Sequence, residues 1–323
     1  MKRVHALAVA VLLAFAPAAQ AQTASGSLDA KWSEGAQDCK AHFEPPLQVH
    51  RYNATTYILR EDLCSTFEAP FMYLLIGQKR ALLIDTGDVA DPKAMPLAKT
   101  VTALLPHGLP LLVVHTHRHM DHRAGDPQFA TLPNVQVVGY DIDSVKRFYN
   151  FTPWPEGVAQ VDLGERVIDV LPTPGHNETE VSFYDRNTAL FFSGDFLMPG
   201  RLLVDDASAY VASANRAVAF LKDKPVRAIL AGHIEMTADG GLEPWESQYH
   251  PNERALPMTK ADLLALPAAL AGFNGFYLQS GKFTMINSLN ILDVGGIGVL
   301  IVIAGLIWFL IHFFRRRRRA RLA

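Results

Sequence analysis

Four of the chain's twelve histidines fall within eight residues, in the string His115-Thr116-His117-Arg118-His119-Met120-Asp121-His122. Neutral imidazole offers a nitrogen lone pair and is among the commonest metal ligands. His117 and His119 alternate, and on an extended segment side chains two apart point the same way, so both can meet one ion. Asp121 and His122 follow at once and can turn toward a second ion about 3.5–4 Å away, the usual spacing of a dinuclear site. A lone histidine is more often a core or surface residue, but this string at the end of an apolar run points to metal chemistry. His115 would alternate to the opposite face and is assigned a structural role. His107, His250 and His312 have no partners at useful spacing.

The elements that must position these residues are legible as short apolar runs. Strands are expected at 56–60, 71–76, 80–84, 111–114, 135–138, 167–171, 181–184, 189–192 and 226–230, and helices at 93–105, 141–149, 207–222 and 260–270. The run 111–114 leads straight into the histidine string, and 80–84 ends in the turn signal Asp85-Thr86-Gly87. Strands interleaved with helices indicate a layered α/β (α+β) domain. No period of 20 to 50 residues is evident, which argues against a solenoid. The stretch 148–155 sets four aromatics and two prolines close after the metal string. It reads either as a wall for an apolar substrate or as a loop packing its own aromatics.

Hydrophobic residues make up 49 % of the 323-residue chain, which excludes a disordered or collagen-like polymer. The formal charge of −2 conceals an uneven distribution. Of the 30 basic residues 22 lie in 22–293 together with all 32 acidic ones, so this body carries a net −10. Such a body argues against a nucleic-acid partner, which is held through clustered Lys and Arg.

The remaining basic residues mark the two ends. Residues 1–21 combine Lys2 and Arg3, a short apolar core and Ala19-Gln20-Ala21, the pattern of a cleaved secretory signal. Residues 294–314 contain no Asp, Glu, Lys or Arg, and at about 1.5 Å per residue they match one bilayer core of roughly 30 Å. Arg315 to Arg319 follow, and the positive-inside rule puts them in the cytoplasm. The expected topology is therefore a single-pass membrane protein with an extracytoplasmic body (periplasmic in a bacterium). The two cysteines, Cys39 and Cys64, can be a disulfide, a metal pair or free thiols. The oxidising compartment and the absence of a C-x-x-C pattern favour a disulfide that fastens an N-terminal extension.

Beyond the histidine string, further short motifs stand at the ends of the expected strands. They are Asp85-Thr86-Gly87, Pro174-Gly175-His176, Ser193-Gly194-Asp195 and Gly232-His233. Together with Thr116 to His122 they resemble, in number and order, the five motifs of the metallo-β-lactamase superfamily over roughly residues 54–235. The resemblance implies a four-layer αββα sandwich, here followed by a C-terminal transmembrane helix. It implies a first metal on His117, His119 and His176 and a second on Asp121, His122 and His233. Asp195 would bridge the two, and Asp85 would brace the site from behind. Zn²⁺, two per chain, is the expected occupant, although Fe or Mn also suits such ligands.

Within the superfamily, the aspartate at 195 resembles the glyoxalase II, lactonase and phosphodiesterase-like branches. Zinc β-lactamases usually have cysteine or a non-ligand there, and flavodiiron proteins have glutamate where this chain has His119. One departure is the sequence Asn177-Glu178-Thr179-Glu180 after His176, where the family often has Thr and a small Gly-Ser pair. The resemblance implies a membrane-tethered dinuclear zinc hydrolase. A metal-bridging hydroxide would cleave an ester, lactone, thioester or related bond of a small molecule, with Asp121 orienting the nucleophile or relaying a proton. The alternatives are a mononuclear-iron persulfide dioxygenase-like oxidoreductase and a non-catalytic metal-binding envelope protein. The expected organisation is signal 1–21, N-terminal extension 22–53, catalytic domain 54–240, C-terminal extension and linker 241–293, membrane helix 294–314 and basic tail 315–323.

Overall fold

The apolar runs pair into two large sheets in the computed structural model, which describes residues 23–292, 302–303 and 305–307. The first sheet is laid down almost in chain order. Strands β1 (Leu47–Asn53), β2 (Thr56–Glu61), β3 (Phe71–Ile76) and β4 (Ala81–Ile84) run as an antiparallel meander. Helix α1 (Leu97–Leu104) then crosses over, and β5 (Leu111–Val114) and β6 (Val135–Val137) add in parallel. The expected boundary at 54 falls inside the β1–β2 hairpin. Helix α1 starts four residues later than its apolar spacing implies, because Pro96 disfavours helical backbone at Met95.

The second sheet follows helix α2 (Ile142–Tyr149). Its strands are β7 (Ala159–Asp162), β8 (Val167–Pro172), β9 (Val181–Asp185) and β10 (Leu190–Gly194). The chain then makes a short strand β11 (Arg201–Leu203) and helix α3 (Ala207–Leu221), whose N-terminus is capped by Asp206. It returns as β12 (Ala228–Ala231), parallel to β10, giving the order β12-β10-β9-β8-β7.

Strand periodicity decides what each face of the first sheet touches. Phe71, Tyr73 and Leu75 of β3, Leu82 and Ile84 of β4, and Leu112 and Val114 of β5 point into one core with the second sheet. Their alternates Met72, Leu74, Leu83 and Val113 form a separate core under Leu97, Ala98 and Val101 of α1. Both faces of these strands are covered, which is why they read as unbroken apolar runs. The assembly is an α/β sandwich of mixed sheets with helices.

The residues after β12 are built into the body. Helix α4 (Lys260–Leu270) begins with a capping box between Thr259 and Asp262 and packs against α3. Strands β13 (Tyr277–Ser280) and β14 (Phe283–Ile286) close a small sheet with β11. The buried Arg60 of β2 holds Glu253 through two hydrogen bonds of 2.7 and 2.6 Å. At the other end Cys39 and Cys64 form a disulfide with their Cα atoms 5.2 Å apart, tying the N-terminal segment to the loop after β2. The expected signal, 1–21, and tail, 315–323, lie outside the described residues, as does most of 294–314. Val302, Ile303, Leu306 and Ile307 are helical and exposed, and among the described residues no helix is long and apolar enough to cross a membrane.

The aromatic stretch after α2 resolves toward packing: Tyr149 and Phe151 are buried in the main core, with Trp154 stacked edge-on against Phe151. The Arg60–Glu253 pair makes a sharper claim about stability. Removing one member of a buried ion pair leaves the other charge uncompensated, which costs about 3–5 kcal/mol. Arg60→Met is therefore expected to lower the unfolding free energy by that amount in urea, and adding Glu253→Gln should restore part of it. A single-variant loss below about 1 kcal/mol would show that this pair does not hold the C-terminal extension in place.

Candidate metal centre

Five strand ends converge at one edge of the sandwich. Asp85 follows β4, His117 to His122 follow β5, His176 follows β8, Asp195 follows β10 and His233 follows β12. Met120–His122 form a single 3-10 turn, which swings Asp121 and His122 away from His117 and His119. Two groups result, His117 with His119 and His176, and Asp121 with His122, Asp195 and His233. Within each group the ligand atoms lie within 4.8 Å of one another. Asp195 faces both: its Oδ2 is 3.5 Å from His122 Nε2 and 3.6 Å from His176 Nε2, and its Oδ1 is 3.7 Å from His233 Nε2.

Each imidazole is aimed by a bond on its far side. His122 Nδ1 donates to Asp85 Oδ2 at 2.9 Å, His233 Nδ1 to the Glu68 carbonyl at 2.7 Å and His176 Nδ1 to the Leu203 carbonyl at 3.2 Å. His117 Nδ1 meets Thr116 Oγ1 at 3.2 Å, and Asn177 reaches His119 Nε2 at 3.0 Å. The opposite ring nitrogens are left facing inward. His119 Nδ1 stands 2.9 Å from His117 Nε2 and 3.1 Å from His176 Nε2, and His122 Nε2 stands 3.2 Å from His233 Nε2. Anchoring one ring nitrogen while presenting the other is how metal-binding histidines are held.

Asp85 is the main brace. It adopts a left-handed backbone (φ 65°), which aspartate tolerates better than most residues, and so turns its carboxylate back onto β5. There Oδ1 accepts from Thr116 N at 2.7 Å and Oδ2 from Thr116 Oγ1 at 2.9 Å, besides His122. Gly232 is required by space, because a Cβ there would lie 2.4 Å from Asp195 Oδ1 and 2.8 Å from His122 Cε1.

The residues present fit a pair of divalent cations. Asp195 Oδ1 is buried and has no hydrogen-bond partner among the described residues. Burial opposes charge on Asp121 and Asp195, yet the neighbouring His122 and His233 outweigh it and hold both carboxyls well below their ordinary range. Burial likewise opposes charge on His233, but Asp195 and Asp121 push it up to about 10. These carboxylates therefore attract positive charge, and imidazole nitrogens with hard oxygens suit a divalent metal, commonly zinc. A third group, His42 with Asp62 and Cys64, lacks a thiolate because Cys64 is in the disulfide.

Sequence reasoning left the segment after His176 without a role, and three of its residues support the site. Asn177 contacts His119 and accepts from Thr179 N, while Glu178 pairs with Arg118. Glu180 is fully buried and accepts from Asp195 N at 3.1 Å, and burial pushes its carboxyl well above the ordinary range. Their departure from the family pattern was the available signal. His115, expected to be structural, pairs with Asp126 at 2.8 Å, and His250 pairs with Glu253 at 3.1 Å, a contact three residues along the chain that spacing alone did not single out.

Fold, motif order and ligand geometry coincide with a sequence match of residues 65–233 to the metallo-beta-lactamase superfamily, to which the chain belongs. Among its relatives is the acyl-coenzyme A thioesterase MBLAC2 of Gallus gallus, 26% identical over 218 residues, which are 55% of this chain and 77% of the relative. Another is the hydroxyacylglutathione hydrolase of Rhodobacter capsulatus, 29% identical over 201 residues, which are 58% of this chain and 74% of the relative. A solved structure, the metallo-beta-lactamase from Pontibacter korlensis, superposes with a TM-score of 0.47 at 18% identity, over 70% of this chain and 100% of that one.

Asp85→Asn places an amide donor against either the Thr116 or the His122 donors. Zinc affinity measured by chelator competition is expected to fall about 10–100-fold, the usual effect of losing such a support, without loss of fold. Unchanged affinity would remove Asp85 from the site.

Proposed function

We propose that the chain is a membrane-tethered, dinuclear zinc hydrolase that cleaves a small-molecule ester, lactone, thioester or related bond outside the cytoplasm. The observation that carries this reading is the placement of Asp195 between two groups of inward-facing imidazoles. The activities of two relatives, an acyl-coenzyme A thioesterase and a hydroxyacylglutathione hydrolase, favour a thioester within that range. The tether rests on the uncharged run 294–314 and the five arginines after it.

His117, His119 and His176 are assigned to one ion, Asp121, His122 and His233 to the other, and Asp195 to both. When bound, zinc supplies Lewis acidity and lowers the pKa of water toward neutrality. The protein's share is orientation and proton handling. Asp85, Thr116, Asn177 and the carbonyls of Glu68 and Leu203 fix the ring planes, so little reorganisation is left for the reaction. Asp121 lies at the mouth with its side chain 20% exposed and its Oδ2 3.1 Å from both His122 Nε2 and His233 Nε2. Its carboxylate is thus placed to orient the attacking water or relay a proton, while Glu180, whose carboxyl burial pushes well above the ordinary range, accepts from Asp195 N and steadies the backbone there.

Metal analysis of the full-length protein is expected to find two zinc per chain. His119→Ala and Asp195→Ala should each lower thioester or lactone hydrolysis by at least about 10³-fold while circular dichroism stays unchanged, the scale seen when an essential group is lost. A panel of thioester, lactone, phosphodiester and chromogenic β-lactam reads the substrate class. One iron per chain, or full activity in Asp195→Ala, would overturn the reading.

A further inference from the structure

A second cleft opens beside the metal centre, on the far side of His233. Ile234 and Glu235 form one wall, and Phe67 and Glu68, whose carbonyl holds His233, form another. Its volume is about 30 Å³. Since roughly 10–15 Å³ by this measure holds one water, the cleft has room for a small polar head but not for a ring.

The chemistry of its walls is one-sided. Glu68, Glu235, Glu243 and Glu246 all line it. The two basic groups there, Arg201 and His250, are already engaged. Arg201 Nη1 lies 3.5 Å from Glu235 Oε2, its Nη2 donates to the Glu243 carbonyl, and its guanidinium covers the Trp245 ring at 5.3 Å. His250 Nδ1 is 3.1 Å from Glu253 Oε1. Glu243 is only 6% exposed, and its buried Oε1 has no hydrogen-bond partner among the described residues. Burial raises its carboxyl above the ordinary range, as expected where no donor compensates the charge. A buried carboxyl left without a donor is costly, so positive charge held in the cleft beside it would stabilise this wall. Trp245, half exposed at the rim, adds an aromatic face of the kind that attracts cations.

We propose that this cleft is a subsite for a cationic, alkylammonium-type group of the substrate, so that the hydrolase proposed above prefers a substrate carrying a positive charge close to the scissile bond. The inference rests on that hydrolase reading for its purpose, though not for its geometry. The excess of carboxyl over basic groups in the lining would disfavour a polyphosphate or polycarboxylate group at this edge of the site.

Butylammonium, butanol and butyrate, titrated into the zinc-loaded full-length protein in detergent at constant ionic strength, separate charge from shape. Calorimetry and tryptophan fluorescence are expected to show saturable butylammonium binding at least tenfold tighter than either analogue, weakened tenfold or more in Glu243→Gln. Butylammonium should also raise the KM for phenyl thiohexanoate without changing kcat. Equal binding of the three compounds, or none, would show that water alone fills the cleft, and binding without competition would separate the cleft from the substrate path. If the thioester is not hydrolysed at all, the hydrolase reading fails, while the butylammonium titration still decides whether a cation site exists.

Discussion

Five imidazole nitrogens and two carboxylates are pressed together at the mouth of this sandwich, and their lone pairs repel unless positive charge lies among them. Contacts of 2.9 to 3.2 Å between ring nitrogens are tolerable with a shared proton or a cation, and the dry surroundings leave little water to screen them. The bonds on the outer ring edges keep the side chains from relaxing apart. The buried Asp85 holds His122, and the backbone carbonyls of Leu203 and Glu68 hold His176 and His233. The site is therefore preorganised for cations by the fold, and the electrostatic cost of assembling it is borne by the two packed cores behind it.

That division of labour explains why motif residues stand at strand ends. The strands β4, β5, β8, β10 and β12 are covered on both faces, so their termini are among the most rigid points in the chain. A loop on such a terminus can hold a side chain in a fixed place at little entropic cost. The strain this requires is local: aspartate in a left-handed conformation at 85, and a glycine at 232 because no Cβ fits between Asp195 and His122.

Legibility in the sequence followed the same physical line. Strands with both faces buried, such as 71–76, stood out as apolar runs. The half-exposed edge strands β1 and β7 carry too few apolar residues to do so, β11 and β13 are half-exposed as well, and the short β14 is interrupted by Thr284. His117 to His122 declared themselves because three imidazoles and a carboxylate crowd six residues. His176, Asp195 and His233 are isolated in sequence, and only motif order joined them to that turn. The roles of Asn177 and Glu180 were not legible, because an amide or a carboxylate gains meaning only from what it meets after folding. Glu243 was invisible for the same reason, since its unpartnered oxygen is a property of packing alone.

The residues beyond β12 give the two ends of the molecule a common logic. The segment that carries Glu243 and Trp245 is locked to the first sheet through Arg60 and Glu253, and β14 pairs with β11, whose Leu203 carbonyl holds His176. The chain then leaves β14 toward the uncharged run at 294–314. Elements between the metal centre and the expected tether therefore support one ligand directly and form a wall of the cleft beside another. In a superfamily whose motifs fix the metals, specificity has to come from what surrounds them. Here those surroundings are rich in carboxyl groups at the C-terminal extension, which is where the proposed preference for a cationic substrate would arise.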